Sequence, residues 1–128
     1  MANRYPVYVV DDDPGARAWI GELCEDQGIE CSGFAGGEEF LAAVDRLRPG
    51  CVLLDMRMPR IGGLRVQAEL VRRGSSMAVV SMTGFGGVET AVRSMKLGAV
   101  EFLEKPFATD DLLAAIAAAA ARLNDTVA

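Results

Sequence analysis

Short runs of aliphatic and β-branched residues alternate along this chain with longer stretches whose apolar positions recur three and four residues apart. Residues 7–10, Val-Tyr-Val-Val, predict a first strand. Asp13 can cap the helix that follows, with Pro14 in its first turn, and Trp19, Ile20, Leu23 and Cys24 form one apolar stripe. Gly28 ends that helix. Residues 29–34 predict a second strand, weakened by Gly33. Gly36-Gly37 then leads into a helix with Phe40, Leu41, Val44 and Leu47 on one face, stopped by Pro49-Gly50. Residues 51–54 are continuously apolar, as expected of a strand covered on both faces. Residues 56–63 stay irregular because of Pro59 and Gly62-Gly63, and a third helix is predicted over 64–73. A fourth strand follows at 77–82, then a loop at 83–87 and a helix at 88–97 ended by Gly98. The fifth strand is placed at 100–103. The last helix runs from about 110, capped by Thr109 or Asp110, to about 123, and its alanine run at 117–121 is strongly helix-forming.

Repeated β-α units of similar length, with no linker between them, predict one domain over residues 1–128 built on a doubly wound parallel sheet. Crossovers between parallel strands are right-handed, and ligands of such sheets sit beyond the carboxyl ends of the strands. Charge gathers there. The first strand runs into Asp11-Asp12-Asp13, the third into Asp55, and the fifth into Lys105-Pro106. An ionised carboxylate closing a buried strand is costly unless something positive or hydrogen-bonding meets it. The three strand ends therefore predict one shared site.

Carboxylates about 4 Å apart repel by about 4 kcal/mol at a surface-like dielectric, so Asp11, Asp12 and Asp55 together call for a cation. Mg²⁺ suits them, being held by hard oxygens, commonly one or two carboxylates with phosphate oxygens and water. An Asp carboxylate can also attack phosphorus to give an aspartyl phosphate. The hydroxyl of Thr83 and the ammonium of Lys105 at neighbouring strand ends would neutralise the remaining phosphoryl oxygens. Each feature taken alone has a plainer reading. The acidic run could be an N-cap cluster, Asp55 a turn residue, and Thr83-Gly84 and Lys105-Pro106 surface turns. Their joint spacing is what favours a site.

Composition narrows the function classes. A net charge of −5 and a pI near 4.7 argue against a surface for nucleic-acid phosphates. No signal-peptide pattern opens the chain and no apolar run approaches the roughly 18 residues of a membrane span, so a cytoplasmic location and no membrane partner are expected. Cys24, Cys31 and Cys51 lack metal-ligand spacing and read as small apolar residues kept reduced. With no His in the sequence, the chain has no imidazole to carry phosphate itself.

The stretches Val9-Val10-Asp11-Asp12-Asp13, Leu54-Asp55-Met56-Arg57-Met58-Pro59, Met82-Thr83-Gly84 and Glu104-Lys105-Pro106-Phe107 resemble the receiver domain of bacterial two-component response regulators. Asp55 to Pro59, together with residues 91–99, is most similar to FixJ-type receivers. The resemblance implies a flavodoxin-like and chemotaxis-receiver-like (βα)5 fold with strand order 2-1-3-4-5. It implies that Asp55 accepts a phosphoryl group from a histidine kinase or a histidine phosphotransfer protein. Asp12, Asp55 and the main-chain carbonyl of Arg57 would bind Mg²⁺, with Asp11 helping through water. Thr83 and Lys105 would hold phosphoryl oxygens, Phe102 would be the switch aromatic, and the Lys105-Pro106 bond would be cis. A phosphorylation-dependent homodimer through the fourth helix and fifth strand is a further implication.

Such a domain is a switch rather than an enzyme acting on other molecules, catalysing only its own phosphoryl transfer and a slow self-dephosphorylation. The resemblance also implies that Arg57 and Phe85 hold the positions that govern phosphoryl lifetime. Phe85 stands where FixJ-type receivers often have His, and Glu89 where Pro is common, so the fourth helix and its loop depart from the pattern. A haloacid-dehalogenase-like phosphatase would need a second Asp at position 57, which is Arg, and an FMN carrier would not line its first loop with three acids. The loop at 84–87 is no dinucleotide fingerprint, because position 89 is Glu. A pseudo-receiver that binds partners without phosphorylation fits poorly with the intact acid, Thr and Lys set. Either a stand-alone receiver or the regulatory domain of a transcription factor fits this reading.

Overall fold

The computed structural model describes residues 5–84 and 86–127, the side chains of 126 and 127 excepted. Strands β1 (Val7–Val10), β2 (Cys31–Phe34), β3 (Cys51–Asp55), β4 (Ala78–Thr83) and β5 (Glu101–Glu104) alternate with helices α1 (Pro14–Asp26), α2 (Gly37–Ala43), α3 (Gly63–Arg72), α4 (Val88–Lys96) and α5 (Thr109–Val127). All strand pairs are parallel, in the order β2-β1-β3-β4-β5. That is the order implied by the family resemblance. β1, β3 and β4 are buried along their whole length, which explains their unbroken apolar sequence. β2 and β5 are edge strands and carry exposed residues.

Successive strand residues face opposite sides, so the sheet divides the core into two layers. Val7, Val9, Cys51, Leu53, Val80 and Met82 pack with Ile20 of α1 and Leu112, Ile116 and Leu123 of α5. Tyr8, Val10, Val52, Leu54 and Val79 pack on the other side with Phe40 of α2 and Val66 and Leu70 of α3. Fully burying each large aliphatic side chain contributes about 1.5–3 kcal/mol. These layers hold the carboxyl ends of β1, β3 and β4 side by side.

The helix ends follow the local chemistry. Asp13 caps α1, its Oδ1 accepting from the Gly15 N–H at 3.0 Å, with Pro14 next in the chain. Gly28 at φ 71° and Gly98 at φ 104° adopt the left-handed conformation just past α1 and α4. Three local expectations shift. β2 begins at Cys31, because the Ile29 N–H is spent closing α1 on the Cys24 carbonyl at 2.8 Å. The second helix tightens after Ala43 into a single 3-10 turn, Val44–Arg46, and Leu47 is already extended. Trp19 is 42% exposed rather than in the buried stripe, its ring lying 5.9 Å from that of Phe107.

α3 and α4 are joined by a polar contact inside the core. The Gln67 Nε2 donates to the Ser94 carbonyl at 2.8 Å, and the Ser94 hydroxyl donates back to Gln67 Oε1 at 2.7 Å. Both residues are buried, so each polar group finds its partner in the other.

Candidate functional site

β1 and β3 are hydrogen-bonded neighbours whose registers place Val10 beside Leu54, so the residues just beyond them, Asp11 and Asp55, emerge together. Asp11 is fully buried, Asp55 is 6% exposed, and Asp12 faces solvent. One carboxylate oxygen from each of Asp11, Asp12 and Asp55 lies within 4.8 Å of the others. Asp13 turns away to cap α1, so the acidic run divides between a cap and a site. The Asp13 N–H donates to Asp11 Oδ1 at 2.9 Å, and Arg17 Nη1 donates to the Asp11 carbonyl at 2.7 Å. These bonds fix the loop that carries the acids.

Lys105 reaches the group from the end of β5. Its Nζ lies 2.8 Å from Asp11 Oδ2 and 3.7 Å from Asp55 Oδ2, while its own N–H donates to the Thr83 carbonyl at 2.7 Å. The Lys105-Pro106 bond is cis. Burial pulls the Lys105 pKa down, but Asp11, Asp55 and Asp13 outweigh it and leave the pKa raised, so the ammonium stays charged. Asp55 is pushed up to about 6. Burial is the main cause, opposed by the Arg57 N–H, reinforced by the charge of Asp11 and again opposed by Lys105. One ammonium does not neutralise three acids. The surplus of hard oxygen donors fits a small divalent cation such as Mg²⁺.

Thr83 ends β4 and is buried, its hydroxyl donating at 3.5 Å to the Leu103 carbonyl, a long bond that holds it loosely. It borders a cleft of about 250 Å³ with Met56, Arg57, Met58, Gly84, Gly87 and Thr90. The exposed Arg57 donates its N–H to Asp55 Oδ1 at 3.2 Å. Phe102 pairs in register with Ser81 and is 43% exposed, turned outward against α4. Phe85 lies outside the described residues. Thus Asp11, Asp12, Asp55 and Lys105 are brought into one group, with Thr83 and Arg57 at the adjoining cleft and Phe102 at the surface beyond.

The family profile of the response regulator receiver domain matches residues 7–117. The chain belongs to that family. This receiver is 43% identical over 122 residues to the transcriptional regulatory protein FixJ of Azorhizobium caulinodans, a match covering 95% of this chain and 58% of that protein. It is 38% identical over 120 residues to the response regulator protein TodT of Pseudomonas putida, covering 93% of this chain and 53% of that one. The receiver thus spans little more than half the length of these curated relatives. The crystal structure of FixJ-N superposes with a TM-score of 0.87 at 32% identity, covering 91% of this chain and 94% of that one. Full-length FixJ from B. japonicum superposes at 0.91 with 37% identity, covering 98% of this chain and 62% of that one.

Three supporting residues of the receiver were not legible in its sequence. Arg17 looks like any polar residue on a helix, yet it anchors the Asp11 backbone. A Cβ on Gly63 would stand 2.7 Å from the Asp55 carbonyl oxygen, and one on Gly87 would stand 2.8 Å from the Thr83 Cβ. Only glycine lets α3 and α4 begin this close to the site. The sequence presents both glycines as ordinary loop residues, since the close approach arises only when the sheet is assembled.

Proposed function

We propose that this receiver is a phosphorylation-controlled switch in which Asp55 accepts the phosphoryl group. The observation that carries this reading is the setting of Asp55, a buried carboxylate at a strand end with Lys105 Nζ at 3.7 Å and two more carboxylates in reach. The Asp55 carboxylate oxygen attacks the phosphorus of a phosphohistidine on a histidine kinase or phosphotransfer protein. The P–O bond forms as the P–N bond breaks, and the imidazole leaves with the electron pair. Lys105 and the Thr83 hydroxyl stabilise the charge on the transferred oxygens. Asp12, Asp55 and the Arg57 carbonyl would hold Mg²⁺, with Asp11 assisting through water, and the ion supplies positive charge against the phosphoryl oxygens. Incubation with acetyl phosphate and Mg²⁺ is expected to add one phosphoryl mass to the wild type and none to Asp55→Asn. Equal labelling of the two would contradict the assignment.

The output follows from Thr83 and Phe102. Drawn to the phosphoryl group, the Thr83 hydroxyl leaves the Leu103 carbonyl and frees space into which Phe102 can turn. Phe102 has no hydroxyl to hold it outside. Val88, Val92, Met95 and Phe102, each at least 39% exposed, form an apolar patch on α4 and β5 that suits a phosphorylation-dependent homodimer. Sedimentation with and without beryllofluoride at micromolar concentration is expected to show the dimer only with the mimic. An unchanged mass across that range would contradict it. The switch serves either as a stand-alone receiver or as the regulatory domain of a transcription factor.

The phosphoryl group is expected to be long-lived. Hydrolysis needs a water in line with phosphorus, and neither Arg57 nor Phe85 is a general base near neutral pH. In Mg²⁺ the phosphorylated wild type should decay slowly, and Phe85→Ala faster if the ring shields phosphorus. A wild-type half-life of seconds would contradict slow decay, and an unchanged half-life in the variant would exclude shielding.

A further inference from the structure

The two helices that flank the cleft, α3 and α4, each begin on a residue of the site. α3 starts on the proposed acceptor, since Gly63, its first residue, lies so close to β3 that an added Cβ would stand 2.7 Å from the Asp55 carbonyl oxygen. α4 starts on Thr83, with a Cβ on its cap residue Gly87 standing 2.8 Å from the Thr83 Cβ, and no side chain hydrogen-bonds that end of the helix. The other end of α4 is held tightly. The Ser94 carbonyl takes the closing N–H groups of Leu97 and Ala99, each at 3.1 Å, and also the Gln67 Nε2 of α3 at 2.8 Å. The Ser94 hydroxyl donates to Gln67 Oε1 at 2.7 Å, and both residues are buried. The Gln67 amide satisfies these contacts in one orientation only, because the flipped amide would set its oxygen against the Ser94 carbonyl.

We propose that Gln67 and Ser94 are positioning residues that form the pivot of the switch, fixing the last turn of α4 to α3 so that movement of Thr83 tilts the first turn of α4 about that point. The inference rests on the reading of Asp55 as acceptor and of Thr83 as the hydroxyl that responds. Stability alone does not call for such a pair, since replacing both partners of a buried hydrogen bond by apolar groups of similar shape is often nearly neutral. What the pair adds is direction. Apolar packing at this spot would keep the helices together while leaving their relative position less defined, whereas reciprocal hydrogen bonds grip both the main chain and the side chain of Ser94. Thr83 is held only by the 3.5 Å bond to the Leu103 carbonyl, so it is free to move toward the phosphoryl group. With Gly87 against it, the first turn of α4 follows, while the last turn stays with α3. Val88, at the moving end, then shifts more than Met95, at the fixed end, and the exposed apolar patch changes shape instead of travelling as one body.

The test is amide hydrogen exchange of the full chain, read by NMR with and without beryllofluoride and Mg²⁺, beside the mass measurement of acetyl phosphate labelling. In the wild type the mimic should change exchange across residues 87–91 and leave the Leu97 and Ala99 amides, both bonded to the Ser94 carbonyl, as protected as before. The double variant Gln67→Leu with Ser94→Ala leaves neither side chain unpaired. It should label at the wild-type rate, because the hydrogen bonds it loses join the two residues to each other and not to the acceptor group. In that variant the mimic should speed exchange at Leu97 and Ala99 by roughly tenfold or more, the pin having been removed. A pair that only adds stability would give the variant equally fast exchange with and without the mimic, and that result would overturn the pivot. So would a labelled wild type in which the mimic changes both ends of α4 alike, or neither; this comparison decides the matter even for a variant that does not fold. A wild type that takes no label would remove the reading of Asp55 and the pivot with it.

Discussion

Asp55→Asn is expected to stabilise the metal-free fold by about 3 kcal/mol at neutral pH, even though it removes the residue on which the proposed function rests. The free carboxyl has an ordinary value of 3.8 and is pushed to about 6 in the folded chain, chiefly by burial. Between these values the folded state binds more protons than the unfolded one, so stability falls as pH rises through that window and stays reduced above it. Asn keeps an acceptor for the Arg57 N–H at the position of Asp55 Oδ1 but carries no charge to desolvate or to repel Asp11. Urea unfolding of both proteins in a chelator should therefore show a large gain for the variant at neutral pH. Near pH 4 the gain should be almost gone. Equal stability of the two at neutral pH would mean that Asp55 is not held at a cost in the folded state.

Lys105→Ala is expected to act in the opposite direction. It removes the one ammonium found in ion-pair contact with Asp11 and Asp55 among the described residues, and leaves the buried Asp11 with only the Asp13 N–H on its carboxylate. Leaving a buried charge uncompensated typically costs about 3–5 kcal/mol, and Mg²⁺ should restore part of the loss by replacing the missing positive charge. Labelling by acetyl phosphate should slow by about 10²-fold, the usual effect of deleting one charge-stabilising donor. Intact-mass time courses and urea unfolding, each with and without Mg²⁺, measure both effects. A variant that labels at the wild-type rate would exclude Lys105 from the transfer step.

What the sequence disclosed depended on how local the cause was. β1 and β3 were legible because a strand buried on both faces must be apolar throughout, and the charged residues after Val10 and Leu54 marked their ends. The joining of Asp11, Asp55 and Lys105 was legible one level up, because a parallel sheet with right-handed crossovers puts the carboxyl ends of its strands together. Trp19 was not. Its place over Phe107 depends on how α1 meets the loop after β5, and helical periodicity alone groups it with its neighbour Ile20, which is buried. Gln67 and Ser94 carry no local signal of burial, because only the packing of α3 on α4 makes each the other's partner.

Asp55 as phosphoryl acceptor is tested most directly by locating the modified atom. The chain is phosphorylated with acetyl phosphate in Mg²⁺, treated with borohydride, which reduces an aspartyl phosphate to homoserine, and digested for mass spectrometry. Homoserine is expected at position 55, with Asp11, Asp12 and Asp13 recovered unchanged. Homoserine at one of those three positions, or a stable phosphate on a hydroxyl residue, would contradict it.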